Sequence, residues 1–144
     1  MRAAAQLCTP TRCSRIAATV RRVLVVEDYD DARHLIGLIL EDAGYRVLSA
    51  ADGLEGVELA RLHLPDAIVM DLFMPVMDGV EATRRIKAHP ETRDVPVIAY
   101  TARPAPLAQD GDLFDAVCIK PCPPDILLGA LQGVLAAEWR SRRH

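Results

Sequence analysis

Glu27 and Asp28 stand directly after the apolar run Val23-Leu24-Val25-Val26, and the same arrangement recurs three more times along the chain. Asp71 follows Ala67-Ile68-Val69-Met70, Thr101 follows Val97-Ile98-Ala99-Tyr100, and Lys120 follows Ala116-Val117-Cys118-Ile119. Each short hydrophobic run delivers a polar group at its C-terminal end. In an open parallel α/β sheet that edge is where ligands bind. Three carboxylates meeting there repel one another unless a cation joins them, and a Lys and a Thr beside them can hold an anion. These are the parts needed for Mg²⁺-dependent transfer of a phosphoryl group onto a carboxylate.

The elements that must position these groups follow from the apolar spacing. The strands are expected at Val23–Val26, Tyr45–Ser49, Ala67–Met70, Val95–Tyr100 and Ala116–Ile119. They read as continuous apolar runs rather than alternating ones, as strands do when helices cover both faces of their sheet. A first helix over about Asp31 to Ala43 puts Ala32, Leu35, Ile36, Ile39, Leu40 and Ala43 on one face, with Asp30 as its N-cap and Gly44 as its stop. Asp52 and Glu55 have the spacing of a capping box for a second helix, Gly53–His63. A third helix runs from Gly79 to about Ala88, and a fifth from Pro124 to about Trp139 with Pro near its first turn. Between Thr101 and Lys120, the residues Pro104, Pro106 and Gly111 work against helix, so the fourth helix is expected to be short, late or partly loop. Five βα units of this kind predict a doubly wound, flavodoxin-like sheet with strand order 2-1-3-4-5.

At 144 residues the chain has the size of one domain, and 51% hydrophobic against 26% charged residues suits a globular protein. No apolar stretch approaches the roughly 20 residues of a membrane span. The net charge of −3 is unevenly spread: residues 1–22 hold five Arg and no acid, whereas residues 23–137 hold 9 Lys and Arg against 19 acids. A body this acidic repels phosphate backbones, which argues against nucleic-acid binding by the core. The boundaries read as a basic, disordered extension over 1–21 (or a start assigned too far upstream), a folded domain over 22–138, and a basic tail over 139–144. The four Cys (8, 13, 118 and 122) have no metal-ligand spacing and are expected as free thiols in the cytoplasm.

Taken together, Val25-Val26-Glu27-Asp28, Asp71-Leu72-Phe73-Met74-Pro75-Val76-Met77-Asp78-Gly79, Tyr100-Thr101-Ala102 and Lys120-Pro121 resemble the receiver domain of two-component response regulators, of the single-domain chemotaxis type, over roughly residues 21–138. The resemblance implies that Asp71 is the phosphoacceptor and that Mg²⁺ is held by Glu27, Asp28, Asp71 and the backbone carbonyl of Phe73. It further implies that Lys120 pairs with the phosphoryl oxygens, that Thr101 donates its hydroxyl to them, and that the Lys120-Pro121 peptide is cis. The implied partners are a sensor histidine kinase or phosphotransfer protein and a downstream protein. The chain itself would be a signalling domain rather than an enzyme, monomeric or weakly dimeric, with no membrane partner.

The chain departs from the family pattern at Val117, where an aromatic residue that turns inward on activation is usual. With the shortened segment before the fifth strand, this predicts an altered helix-four face. Phe73 and Arg103, two residues beyond Asp71 and Thr101, occupy positions that in the family flank the path of attacking water; either their bulk there slows hydrolysis, or Phe73 is surface packing with no kinetic effect. Two rivals belong to other classes. One is a receiver-like module that binds partners without being phosphorylated. The other is a phosphatase with an Asp nucleophile, which generally needs a second acid at the place of Phe73.

Overall fold

The structure, a computed structural model, describes residues 20–103 and 107–143. Most of the expected N-terminal extension (residues 1–19, with Cys8 and Cys13), as well as Pro104, Pro106 and His144, lies outside the described residues. Five strands, β1 (Arg22–Val26), β2 (Arg46–Ala50), β3 (Ala67–Met70), β4 (Val97–Thr101) and β5 (Ala116–Ile119), form one parallel sheet in the order β2-β1-β3-β4-β5. The helices are α1 (Asp30–Asp42), α2 (Gly53–His63), α3 (Gly79–Ala88), α4 (Leu107–Asp110) and α5 (Pro124–Arg143), with a 3₁₀ turn at Gly111–Leu113 after α4. This is the doubly wound order expected. No helix among the described residues is long and apolar enough to cross a membrane.

The two-faced burial explains the continuous apolar runs. Successive strand residues point to opposite faces, so Leu24, Val26, Ile68, Met70, Val97 and Ala99 join one core with Val57, Ala60, Ala82 and Ile86 of α2 and α3. Val23, Val25, Ala67, Val69, Ile98 and Cys118 join the other with Ile36 and Leu40 of α1 and Leu127 and Leu131 of α5. All four residues from Val23 to Val26 are fully buried, each contributing about 1.5–3 kcal/mol of transfer free energy.

Several boundaries differ from the expected ones for identifiable reasons. The N-cap of α1 is Tyr29, without a side-chain cap bond, and Asp30 is the first helical residue, where its charge faces the positive helix end. Strand β2 starts at Arg46 rather than Tyr45, because the Tyr45 N–H closes the end of α1 on the Leu40 carbonyl while the Arg46 N–H pairs with Arg21. The stop at Gly44 is as expected, with φ +100°. Asp52 accepts the Glu55 N–H at 2.8 Å, but the Glu55 carboxylate returns to the N–H of Ala51, one residue outside the expected capping box. Strand β4 begins after Pro96, which has no N–H to give the ladder, rather than at Val95. α5 continues past Trp139 to Arg143, since nothing in that stretch breaks a helix.

α4 is a single turn, as its prolines and glycine predict. In β5, Val117 and Ile119 are exposed while Cys118 between them is buried. Elsewhere the packing is tight. A Cβ on Gly79, the first residue of α3, would stand 2.0 Å from the carbonyl oxygen of Asp71, so only glycine lets the helix start this close to β3. Gly79→Ala is therefore expected to cost about 3 kcal/mol or more, the upper end for overpacking, in urea denaturation. Asp52→Ala, which removes only a cap, should cost about 1 kcal/mol.

Candidate functional site

The C-terminal ends of β1 and β3, neighbours in the sheet, bring Glu27, Asp28 and Asp71 together. Val26 pairs with Met70 in register, and the Asp71 N–H bonds the Val26 carbonyl at 3.0 Å. One carboxylate oxygen from each of the three acids lies within 4.8 Å of the others. Glu27 is 2% exposed and Asp71 6%, whereas Asp28 is exposed at the rim.

Lys120 reaches this cluster from the end of β5. Its Nζ donates to Glu27 Oε1 at 2.9 Å and lies 3.5 Å from Asp71 Oδ2. It also sits 5.1 Å from the ring centroid of Tyr100, a cation–π distance. The Lys120-Pro121 peptide bond is cis.

The charges in this cluster are unequally content. Burial pushes the Glu27 carboxyl above the ordinary carboxylate range, and the Asp71 charge adds to the rise; the hydrogen bond from Lys120 opposes it. Burial pulls the Lys120 ammonium down, but its hydrogen bond to Glu27 and the charges of Asp71 and Glu27 outweigh that and hold its pKa above the usual lysine value. One ammonium thus serves two buried carboxylates, which leaves the acid side of the balance short of positive charge. Oxygen donors converging with surplus negative charge are what a hard divalent cation requires.

Thr101 ends β4 and is fully buried. Its hydroxyl is turned to its own loop, accepting the Arg103 N–H at 3.0 Å and donating to the Arg103 carbonyl at 3.1 Å. It is therefore at the expected edge but engaged elsewhere. Phe73 follows Asp71 by two residues; its N–H donates to Asp71 Oδ1 at 3.4 Å, and its ring is partly exposed. The Arg103 guanidinium carbon lies 5.0 Å from the centroid of that ring. The loops after β3 and β4 are thus joined by a cation–π contact at the positions singled out in the sequence.

Arg33 was not singled out there. Its guanidinium donates to the Glu27 carbonyl at 2.8 Å and to the Asp30 carboxylate. A basic residue in the first turn of a helix, where acids are favoured, is the sequence signal that could have found it. Of the cysteines, Cys118 is buried and Cys122 half-buried, both free, and burial with the neighbouring Cys122 thiol pushes Cys118 up to about 12.

Comparison with known proteins agrees with this geometry. The family model described as response regulator receiver domain matches residues 23–131. Over 82 residues the chain is 40% identical to the polar-differentiation response regulator DivK of Brucella anthropi, a span of 57% of this chain and 67% of DivK. The chemotaxis response regulator CheY4 of Vibrio cholerae superposes with a TM-score of 0.75 at 32% identity, over 81% of this chain and 99% of that one. The receiver domain of a sensor histidine kinase from Pseudomonas aeruginosa gives a TM-score of 0.76 at 34% identity, over 82% and 99% of the two chains; its structure has a magnesium ion coordinated in the active-site cleft.

The crowding of carboxylates has a measurable consequence. Without Mg²⁺, Asp71→Asn should stabilise the fold at pH 7 by about 1 kcal/mol, because it removes a like charge beside buried Glu27. A carboxyl whose pKa is raised by folding favours the folded state below its ordinary pKa and loses that contribution as pH rises through the raised value. The gain from Asp71→Asn should accordingly fade as pH falls through the raised Glu27 value, where that carboxyl takes up a proton and the repulsion ends. Thermal melts on either side of that value read it.

Proposed function

The chain belongs to the response regulator receiver domain family, and on that footing we propose that Asp71 accepts a phosphoryl group from a phosphohistidine on a sensor histidine kinase or phosphotransfer protein. The observation that carries this reading is the meeting of Glu27, Asp28 and Asp71 within 4.8 Å, with the Lys120 ammonium between two of them. The three carboxylates suit Mg²⁺, and they would hold it together with the backbone carbonyl of Phe73. When bound, Mg²⁺ offsets negative charge on the transferred phosphoryl oxygens.

The remaining work falls to the chain's own groups. A carboxylate oxygen of Asp71 attacks phosphorus in line; the P–N bond to the donor imidazole breaks and its electron pair returns to nitrogen. Lys120, already between Glu27 and Asp71, pairs with a phosphoryl oxygen as a mobile point charge. Thr101 gives up the Arg103 carbonyl and donates its hydroxyl to the phosphoryl group. The Phe73 ring and the Arg103 guanidinium stacked on it stand over the approach of water, and so prolong the life of the aspartyl-phosphate. The phosphorylated chain signals in the cytoplasm through phosphorylation-dependent protein contacts, or passes the group on as a relay intermediate.

Incubation with acetyl phosphate tests the reading directly. Labelling is expected with Mg²⁺, is expected to vanish with EDTA, and should be absent in Asp71→Asn. Folded wild-type chain that takes up no phosphate in Mg²⁺ would refute the proposal. Decay of the labelled protein tests the Phe73 role: Phe73→Asn should shorten the phosphoryl lifetime severalfold, and an unchanged lifetime would remove the ring from the mechanism.

A further inference from the structure

Arg33 is the fourth residue of α1, yet its side chain reaches back across the helix start. One end of the guanidinium donates to the backbone carbonyl of Glu27 at 2.8 Å, and the other holds the carboxylate of Asp30. On the other side of the same short loop, the N–H of Tyr29 donates to Glu27 Oε2 at 3.2 Å. Asp28 lies between these two fixed points. It is exposed, so packing does not hold its side chain in place, and the point from which its carboxylate reaches the site is set by its backbone.

Two local effects argue against a cation at this place. The first turn of a helix carries partial positive charge, and Asp30 and Asp31 already meet its preference for acids. A guanidinium beside a cluster of carboxylates also repels any second cation that enters it. What an arginine uniquely supplies is a planar fork that can take a carbonyl and a carboxylate at once, which a lysine ammonium does not reproduce.

We infer that Arg33 is a positioning residue for the divalent-cation site: it fixes the peptide between Glu27 and Asp28, and through it the point from which the Asp28 carboxylate reaches the site. The inference rests on the receiver reading above, and it goes further in assigning a role to a side chain that touches neither the ion nor the phosphoryl group.

The experiment is a MgCl₂ titration of the full chain, followed by ¹H–¹⁵N NMR, on wild type, Arg33→Lys and Arg33→Met, with thermal melts to establish folding. If Arg33 positions Asp28, both variants bind Mg²⁺ about tenfold more weakly, the lower end for loss of a group supporting a metal ligand. The amides of Asp28 and Tyr29 are then already displaced before Mg²⁺ is added. If Arg33 acts only as a charge, Arg33→Lys binds as wild type does and Arg33→Met binds more tightly; either result overturns the proposal. Arg33→Lys keeps both stem and charge, and it decides the question should Arg33→Met fail to fold. Wild-type chain with no saturable Mg²⁺ response would instead bring down the receiver reading, and this inference with it.

Discussion

The site is organised around an electrostatic deficit. Glu27 and Asp71 are both buried, both acidic, and share one ammonium. Burying an ion is costly unless opposite charge and hydrogen bonds surround it. Here the surroundings stop one charge short, and the burial-driven rise of Glu27 is the sign of it. Everything nearby maintains that condition. Two neighbouring strands in register keep the acids adjacent, Gly79 lets α3 begin against the Asp71 carbonyl, and the end of β5 aims Lys120 between the two carboxylates.

The opposite edge of the sheet shows what the same residue type does when it is fully served. Asp66, just before β3, accepts the N–H of Arg22 at 2.8 Å, and Asp115, just before β5, accepts the N–H of Val97 at 2.8 Å with Lys87 beside it. At the starts of parallel strands, free N–H groups of the neighbouring strand are available to acids. At the ends, the strand carbonyls offer nothing to a carboxylate. Acids at the first edge are therefore structural caps, and acids at the second are left wanting a cation.

Much of this was legible in the chain because strand cores and polar termini are local patterns. Val23 to Val26 followed by Glu27-Asp28, and Ala67 to Met70 followed by Asp71, place the acids without knowledge of any tertiary contact. The Asp52 cap and the one-turn α4 follow from equally local chemistry. The misjudged boundaries were close local choices, one of them settled by a single hydrogen bond. Tyr45 could join β2 or close α1, and the Leu40 carbonyl decided it. Asp30 could cap α1 or begin it, and Tyr29 took the cap position instead. Contacts between distant loops, such as Arg103 on Phe73, depend on side-chain reach in three dimensions and leave no spacing signature.

Thr101 gives the site a mechanical character. Both the donor and the acceptor capacity of its hydroxyl are used within one residue, the backbone of Arg103, whose guanidinium in turn lies on the ring of Phe73. The three residues form a linkage that starts at a buried hydroxyl and ends on a partly exposed ring. The hydroxyl and the ring are thus tied through Arg103, whose backbone holds the one while its side chain rests on the other. A buried polar group and a surface aromatic thereby share one tether, so that holding either in place helps to hold the other.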